Sequence, residues 1–502
     1  MNTTGVTRAA LSMLLIVAST ASPAATPDFD TLTAAEAAQK ICAGELSSEA
    51  LTRSYIERAK LRPELNVFIT LDEPRALAAA RAADRAVAAH APCGLLQGVP
   101  VVIKDNINVV GLPTTAGTPA LRGFVPRLYA PVVWRLKKQG AIVLGKTNMH
   151  ELAFGISGYN LAFKTGPEPG VRNAYDATRI AGGSSSGNGA AIGARLALAG
   201  LGTDTGGSVR IPCAVNGCAA LRPTVGRYPQ AGIAPISHTR DTAGPMALTV
   251  ADLVLMDRAI GGGGAVKPAV LGKVRLGVAK VFFQNLDADT QAATDAALAK
   301  MKQAGVTLVD VDLSKLFELN GAVGFPVALY EAYDDMVRFL ARNRTGVTIV
   351  KLAEQIASPD VKGTYQGLVL PRKLPGPDKT VVDAKPAYDA AIHKARPALI
   401  RYYNDAFRKH RIDALVFPTV PQVAIESNPD SSSLKNFLLF IQNTDPGSNA
   451  GLPGLTLPVA LGASSKLPIG VELDGPAHSD RRLLAIGLSL QKVFGRLPSP
   501  GK

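Results

Sequence analysis

The chain has 502 residues, enough for two or three ordinary domains or one large α/β domain with a sizeable core. Hydrophobic residues make up 47% and charged residues 19%, which excludes a disordered chain. Aromatics are only 5%, too few for a stacking surface on single-stranded nucleic acid. The formal charge of +14 is scattered without a basic run of five or more, so it reads as solvated surface, and no nucleic-acid partner is expected.

Residues 1–25 read as a secretory signal peptide. Arg8 supplies the positive start, and Ala9 to Ala18 form an apolar stretch too short to span a bilayer. Small residues follow, with cleavage expected after Ala21, Ala24 or Ala25; the alternative is an uncleaved N-terminal helix. The expectation is a periplasmic or secreted protein whose folded domain covers 26–502 and which has no membrane association after cleavage.

Residues 31–61 and 72–90 are Ala-rich, with charges at helical spacing, and read as amphipathic helices. GVPVVIKDNINV (98–109) opens with the β-branched run of a buried strand, 130–139 reads as helix, and AIVLG (141–145) again as buried strand. GNGAAIGARLALAGLGTDTGGS passes from an Ala-rich helix into a Gly-rich loop. RLGVAKVFF (275–283), a helix near 288–304 and VTLVDVDL (306–313) repeat the strand–helix–strand order. DALVFPTVP and LPGLTLPVAL (452–461) supply late strands. This alternation predicts an α/β fold: a single large domain with a mixed central β-sheet covered by helices on both faces. GGGG (261–264) and residues 340–385, where the apolar pattern weakens and prolines collect, read as insertions or variable surface. No internal repeat is visible.

The four cysteines, Cys42, Cys93, Cys213 and Cys218, form no CxxC and join no His cluster of zinc spacing, so no metal site is expected. An oxidising compartment permits a Cys213–Cys218 disulfide, and buried free thiols fit the sequence equally well.

Three motifs compete for the chemistry. GAIVLGKT (140–147) has Gly140, Gly145, Lys146 and Thr147 at phosphate-loop spacing. Such a loop needs a flexible turn whose N–H groups converge on the anion, whereas Ala-Ile-Val-Leu prefers to be a strand. GSSSG (183–187) matches a nucleophile elbow centred on Ser185, with His238, His393, His410 and His478 downstream. Yet the stretch before it, NAYDATRIAG, is polar and turn-like where the elbow requires a strand.

The third candidate needs no histidine. It combines Lys104 of VVIKDN, a serine of AGGSSSG and a serine of GTDTGGSVRIP (202–212). Attack on an amide requires an activated hydroxyl, a proton carrier and donors for the developing oxyanion. A lysine ending a buried strand is desolvated, which disfavours its charged form and makes it a usable base. Gly206 and Gly207, beside Ser208, let backbone N–H groups approach a substrate oxygen with no Cβ in the way.

Together these stretches resemble the amidase signature family. The likeness runs through GVPVVIKDN, GLPTTAGTPAL, GAIVLGKTNMHELAFG, AGGSSSGNGAA, GLGTDTGGSVRIP and LRPTVGR, continues weakly to DALVFPTVP, GLPGLTLP and LPIGVEL, and is least over 265–410. The separation from Ser208 fits the family's spacing and selects Ser184 from the three serines. The resemblance implies that Ser208 is the nucleophile, Ser184 the bridging serine and Lys104 the base. It assigns the oxyanion hole to the backbone N–H groups of Thr205, Gly206, Gly207 and Ser208. It also implies a cis Gly183–Ser184 peptide, leaving Ser185 and Ser186 to hydrogen-bond the loop. Gly where Ser186 or Asn188 stands is common in the family, and neither departure touches the triad.

The implied reaction is hydrolysis of a carboxylic amide through an acyl-enzyme, with no metal or organic cofactor. The motifs look most like those of bacterial arylalkyl amidases, such as those acting on mandelamide or indoleacetamide. Peptide C-terminal amides, aryl acylamides and carbamates are alternative substrates, and a periplasmic α/β ligand-binding protein is the alternative class. A tRNA amidotransferase subunit shares the motifs, but an export signal argues against it. Gly155, Ile156 and Ser157 of GISGY and the loop 436–449 are expected to line the acyl pocket of a monomer or homodimer.

Overall fold

The computed structural model describes residue 28, residues 30–376 and residues 380–501; the expected signal peptide lies outside the described residues. The strands, in chain order, are β1 (Phe68–Leu71), β2 (Pro100–Lys104), β3 (Ile142–Thr147), β4 (Ala199–Asp204), β5 (Ala219–Arg222), β6 (Thr242–Ala247), β7 (Arg275–Val278), β8 (Thr307–Asp310), β9 (Lys373–Pro375), β10 (Val381–Asp383), β11 (Ala414–Pro418), β12 (Gly454–Leu461) and β13 (Pro468–Asp474). Eleven of them form one sheet in the order β1-β3-β2-β4-β6-β5-β12-β13-β11-β7-β8, while β9 and β10 pair as a separate hairpin. The sheet is mixed, as expected: β3, β2 and β4 run parallel, as do β11, β7 and β8, and the other pairs are antiparallel. Helices surround this sheet in one large α/β domain.

The stretch 31–61 is two helices, Ala34–Cys42 and Ser48–Lys60. Gly44 takes φ +73° between them, and Ser47 caps the second by accepting from the Ala50 N–H. Thr33 and Glu36 form a capping box on the first. Ser186–Gly193 is a helix with every residue buried. Its small side chains are the condition for that burial: a Cβ on Gly187 would overlap the Val67 carbonyl, and one on Gly189 would press on Pro212.

The region 340–385, read from sequence as insertion or variable surface, instead builds a helical cap. It contains the end of helix Gly324–Arg342, helices Ile349–Gln355 and Pro359–Thr364, a π-turn over Tyr365–Val369, and the β9–β10 hairpin. Leu340, Leu352, Val361, Tyr365, Val369 and Leu374 form the cap's own core, against Leu121 and Leu152 of the main body. Its helices are too short for a 3.6-residue period to show, which is why the sequence reads as irregular.

The four cysteines pair as Cys42–Cys93 and Cys213–Cys218. No free thiol remains among the described residues.

Candidate active site

Register sets the first contacts. β2 and β4 are parallel neighbours with Ile103 opposite Leu201, so the next residues bring Lys104 and Thr203 together at the carboxyl ends of their strands. The Lys104 ammonium nitrogen lies 2.7 Å from Thr203 Oγ1 and 2.8 Å from Ser184 Oγ. Asn106 Nδ2 donates to the same Thr203 oxygen at 3.1 Å and to the Ala234 carbonyl at 3.3 Å. Lys104 is fully buried, and burial pushes its amine down to about 7 against the opposing pull of Asp204 and Asp241.

The Gly183–Ser184 peptide is cis, and the Ser184 carbonyl accepts from the His150 N–H at 3.2 Å. The next N–H, that of Ser185, donates to the Ser208 carbonyl at 3.1 Å and so ties the two serine loops together. The Ser185 hydroxyl is committed elsewhere: it donates to the Thr203 carbonyl and accepts from the Thr203 N–H. Ser186 Oγ, expected to hydrogen-bond the loop, has no partner and packs beneath Gly158. Ser208 is 8% exposed, whereas Ser184 and Lys104 are closed off entirely. Among the described residues, no hydrogen bond joins the Ser208 and Ser184 hydroxyls.

Asp204, the last residue of β4, shapes the loop that carries Ser208. Its carboxylate accepts from the Gly207 N–H at 2.8 Å and the Val209 N–H at 3.2 Å. Arg210 and Arg222 bind the same carboxylate, and Arg210 continues to Ser448 and Glu472. Burial opposes ionisation of Asp204, but the two guanidinium groups outweigh it and hold the carboxyl well below the usual range. The Gly207 N–H is thereby directed to Asp204 and is not a free oxyanion donor. Thr205, Gly206 and Ser208 keep N–H groups with no protein acceptor among the described residues. Asp241 accepts from the Thr205 hydroxyl at 2.6 Å, and burial pushes it up to about 6.

Ser208 opens on a cavity of about 540 Å³ that Thr205 and Gly206 also line. Its walls are mostly apolar and aromatic, with Phe154, Ile156, Ile211, Phe317, Leu368 and Phe437 among them. Gly155 and Ile156 line it, as do Phe437, Leu438, Ile441, Gln442 and Asp445 of the loop 436–449. Ser157 does not: it is buried, with its hydroxyl 2.8 Å from that of Ser432, which does line the cavity. His150, Asp360 and Ser432 carry no signal in the sequence; they are polar residues brought to the wall from three separate segments. A second cavity, of about 820 Å³, shares Ala153, Thr205 and Ile236 with the first and reaches Asn106 and Thr203, but not Ser208.

The competing motifs are placed differently. Residues 142–147 of GAIVLGKT are strand β3, and Lys146 is buried 3.0 Å from Asp105, so no phosphate loop forms. His238 is half exposed beside Asp335 and Glu331. These three bring ligand atoms within 4.8 Å of one another, but Ser237 and Thr239 already occupy Glu331, and Arg338 occupies Asp335.

The family model described as Amidase matches residues 50–484. Mandelamide hydrolase of Pseudomonas putida is 46% identical over 469 residues, covering 93% of this chain and 92% of that one. Indoleacetamide hydrolase of Agrobacterium vitis is 38% identical, with coverage of 92% and 96%. The native peptide amidase of Stenotrophomonas maltophilia superposes with a TM-score of 0.79 at 30% identity, over 94% of this chain and 99% of that one. With its matched region, its mixed sheet and its serine loops around a buried lysine, the chain belongs to the Amidase family and is a hydrolase of amides.

Proposed function

We propose that the chain hydrolyses primary amides of aryl-substituted acids through an acyl-enzyme on Ser208. The observation that carries this reading is the contact of Lys104 with Ser184 Oγ at 2.8 Å, beside the one serine of the set that opens on the cavity. Neutral Lys104 donates to Thr203 and accepts the proton of Ser184, while Ser184 takes the proton of Ser208. The Ser208 oxygen bonds to the carbonyl carbon, and the Thr205, Gly206 and Ser208 N–H groups hold the oxyanion. The relay then returns the proton to the amide nitrogen as the C–N bond breaks, and ammonia leaves. Water repeats the sequence on the ester, releasing the acid and restoring Ser208. The apolar cavity supports a neutral aryl acyl group, since the charges of Arg240 and Asp445 on its wall are spent on each other.

We also propose that residues 1–25 direct export and that the mature chain, from about residue 26, works as a monomer or homodimer on a small-molecule amide. The pairing of all four cysteines supports an oxidising compartment.

A fluorophosphonate probe followed by peptide mass spectrometry tests the nucleophile, with the adduct expected on Ser208. An adduct on Ser185 overturns the assignment. A panel of arylacetamides, peptide amides, anilides and carbamates, assayed for acid release, tests the substrate class.

A further inference from the structure

Most polar groups on the cavity wall are satisfied inside the protein. Asp445 is taken by Arg240 and Asn320, Gln442 by Asn285 and Gln284, and the Thr364 hydroxyl by the Asp360 carbonyl. Apart from the Ser208 loop, this leaves a polar strip in an apolar wall, made by His150, Asp360 and Ser432.

The strip is one chain of hydrogen bonds anchored on the Asp360 carboxylate. Asp360 Oδ2 lies 2.9 Å from His150 Nε2, and an ionised carboxylate can only accept, so Nε2 carries the proton. In the neutral imidazole Nδ1 is then an acceptor, facing the Ser157 hydroxyl at 3.4 Å. With its proton given to Nδ1, Ser157 Oγ accepts from the Tyr159 N–H at 3.1 Å and from the Ser432 hydroxyl at 2.8 Å. In that arrangement the Ser432 hydroxyl spends its proton within the wall. Both ends of the chain, the Asp360 carboxylate with a quarter of its side chain exposed and the lone pairs of Ser432, present only acceptors to the cavity they line.

We infer that Asp360 and Ser432 form an acceptor strip that selects acyl groups carrying a hydrogen-bond donor, an O–H or N–H, over the same group without it. This rests on the reading above, that the cavity holds the acyl part of the amide. His150 acts here as a positioning residue: it joins the Asp360 carboxylate to Ser157, and its own N–H holds the Ser184 carbonyl. Gly155 belongs to the same device, because a Cβ there would overlap the His150 ring. A group that only accepts, such as an ether, or that is anionic finds no partner on this strip and meets the Asp360 charge.

The test uses near-isosteric pairs: phenylacetamide against its α-hydroxy and 4-hydroxy derivatives, and indole-3-acetamide against its N-methyl derivative. Rates are compared at one fixed pH of about 8.5, above the acid limb expected for Lys104. The wild-type enzyme is expected to favour the donor-bearing member in at least one pair. Ser432→Ala and Asp360→Ala are each expected to lower that ratio of kcat/KM by about tenfold, the worth of one hydrogen bond. The ratio is internal to each variant, so a general loss of folding does not move it, and Ser432→Ala is a small truncation of a half-buried residue should Asp360→Ala fail to fold. Turnover of arylamides with no donor preference, or with the same ratio in Ser432→Ala, overturns this inference and leaves the amidase reading standing. No turnover of any arylamide overturns both.

Discussion

Arg210 grips both carboxylate oxygens of Asp204, Nε to Oδ2 and Nη2 to Oδ1, at 3.0 Å each. The pair is fully buried and Asp204 also holds the Gly207 N–H, so this ion pair is joined directly to the loop that presents Ser208. Removing one partner of such a pair leaves an uncompensated buried charge, which costs about 3–5 kcal/mol. Asp204→Ala is therefore expected to lose that much stability in urea unfolding and most of its amide hydrolysis. Asp204→Asn, which keeps the shape but not the charge, is expected to retain more stability while still losing turnover. Full activity in both variants would show that the loop holds its form without Asp204.

In the proposed mechanism the pH dependence comes from Lys104. Burial lowers its pKa from the ordinary 10.5 to about 7, and the amine is a base only when neutral. The rate kcat/KM is expected to rise with pH through an acid limb near 7 and to hold above it. Stability moves the same way: between about 7 and 10.5 the unfolded chain binds a proton that the folded chain refuses. Stability therefore rises with pH across that window, and this contribution is level below it. Lys104→Ala is expected to remove the limb and lower amide hydrolysis by ~10²–10⁴-fold, while reactive esters, whose leaving group needs no proton, lose less. A variant that kept both the rate and the limb would make Lys104 structural.

Gly207 adopts φ +135°, and a Cβ there would collide with Thr444 Oγ1 and press on Ile211. Gly207→Ala is expected to displace the Ser208 loop and reduce kcat for amides by at least about tenfold, with a smaller fall in thermal midpoint than Asp204→Ala gives. Steady-state kinetics beside a thermal melt separate the two effects. Wild-type kcat in this variant would mean that the loop's backbone tolerates the strain.

The Cys42–Cys93 disulfide closes a loop with a sequence separation of 51, for which chain entropy suggests a contribution of about 4 kcal/mol. Cys213–Cys218 spans a separation of 5 and contributes about 2 kcal/mol on the same account. Paired substitution of Cys42 and Cys93 by Ser is expected to lower the unfolding free energy more than the paired change at 213 and 218. Neither disulfide touches the cavity, so activity at room temperature should survive the first change. Equal midpoints for the two double variants would contradict the loop-length argument.

Much of the sheet is legible in the sequence because its strands carry β-branched runs, as in VVIK of β2 and ALVF of β11. β6 escapes that reading: TAGPMA contains Gly and Pro, yet it runs antiparallel to β4 with Pro245 opposite Leu201. Lys104, Ser184 and Ser208 stand out because Gly-rich segments crowd around two of them and an apolar strand delivers the third. Asp204 is visible in the same motif, but its task is not, since that depends on Arg222 and Glu472 arriving from distant strands. Asp360 is silent in sequence: nothing in SPDVKG says that a helix of six residues will set a carboxylate against His150.

The cap and the sheet differ in what they contribute. Lys104, Thr203, Ser184 and Ser208 all stand on or beside β2, β4 and the buried Ser186–Gly193 helix, whereas Asp360, Thr364, Leu368 and Pro375 reach the cavity from the cap. The cavity is thus closed jointly, by the main body on the side of Ser208 and by the separately packed cap on the side of Asp360. Residues 340–385 act as a faceplate with a core of its own, set over Leu121 and Leu152 of the main body. On the proposed reading, changes at Asp360, Thr364, Leu368 and Pro375 reshape the cavity without touching Lys104, Ser184 or Ser208.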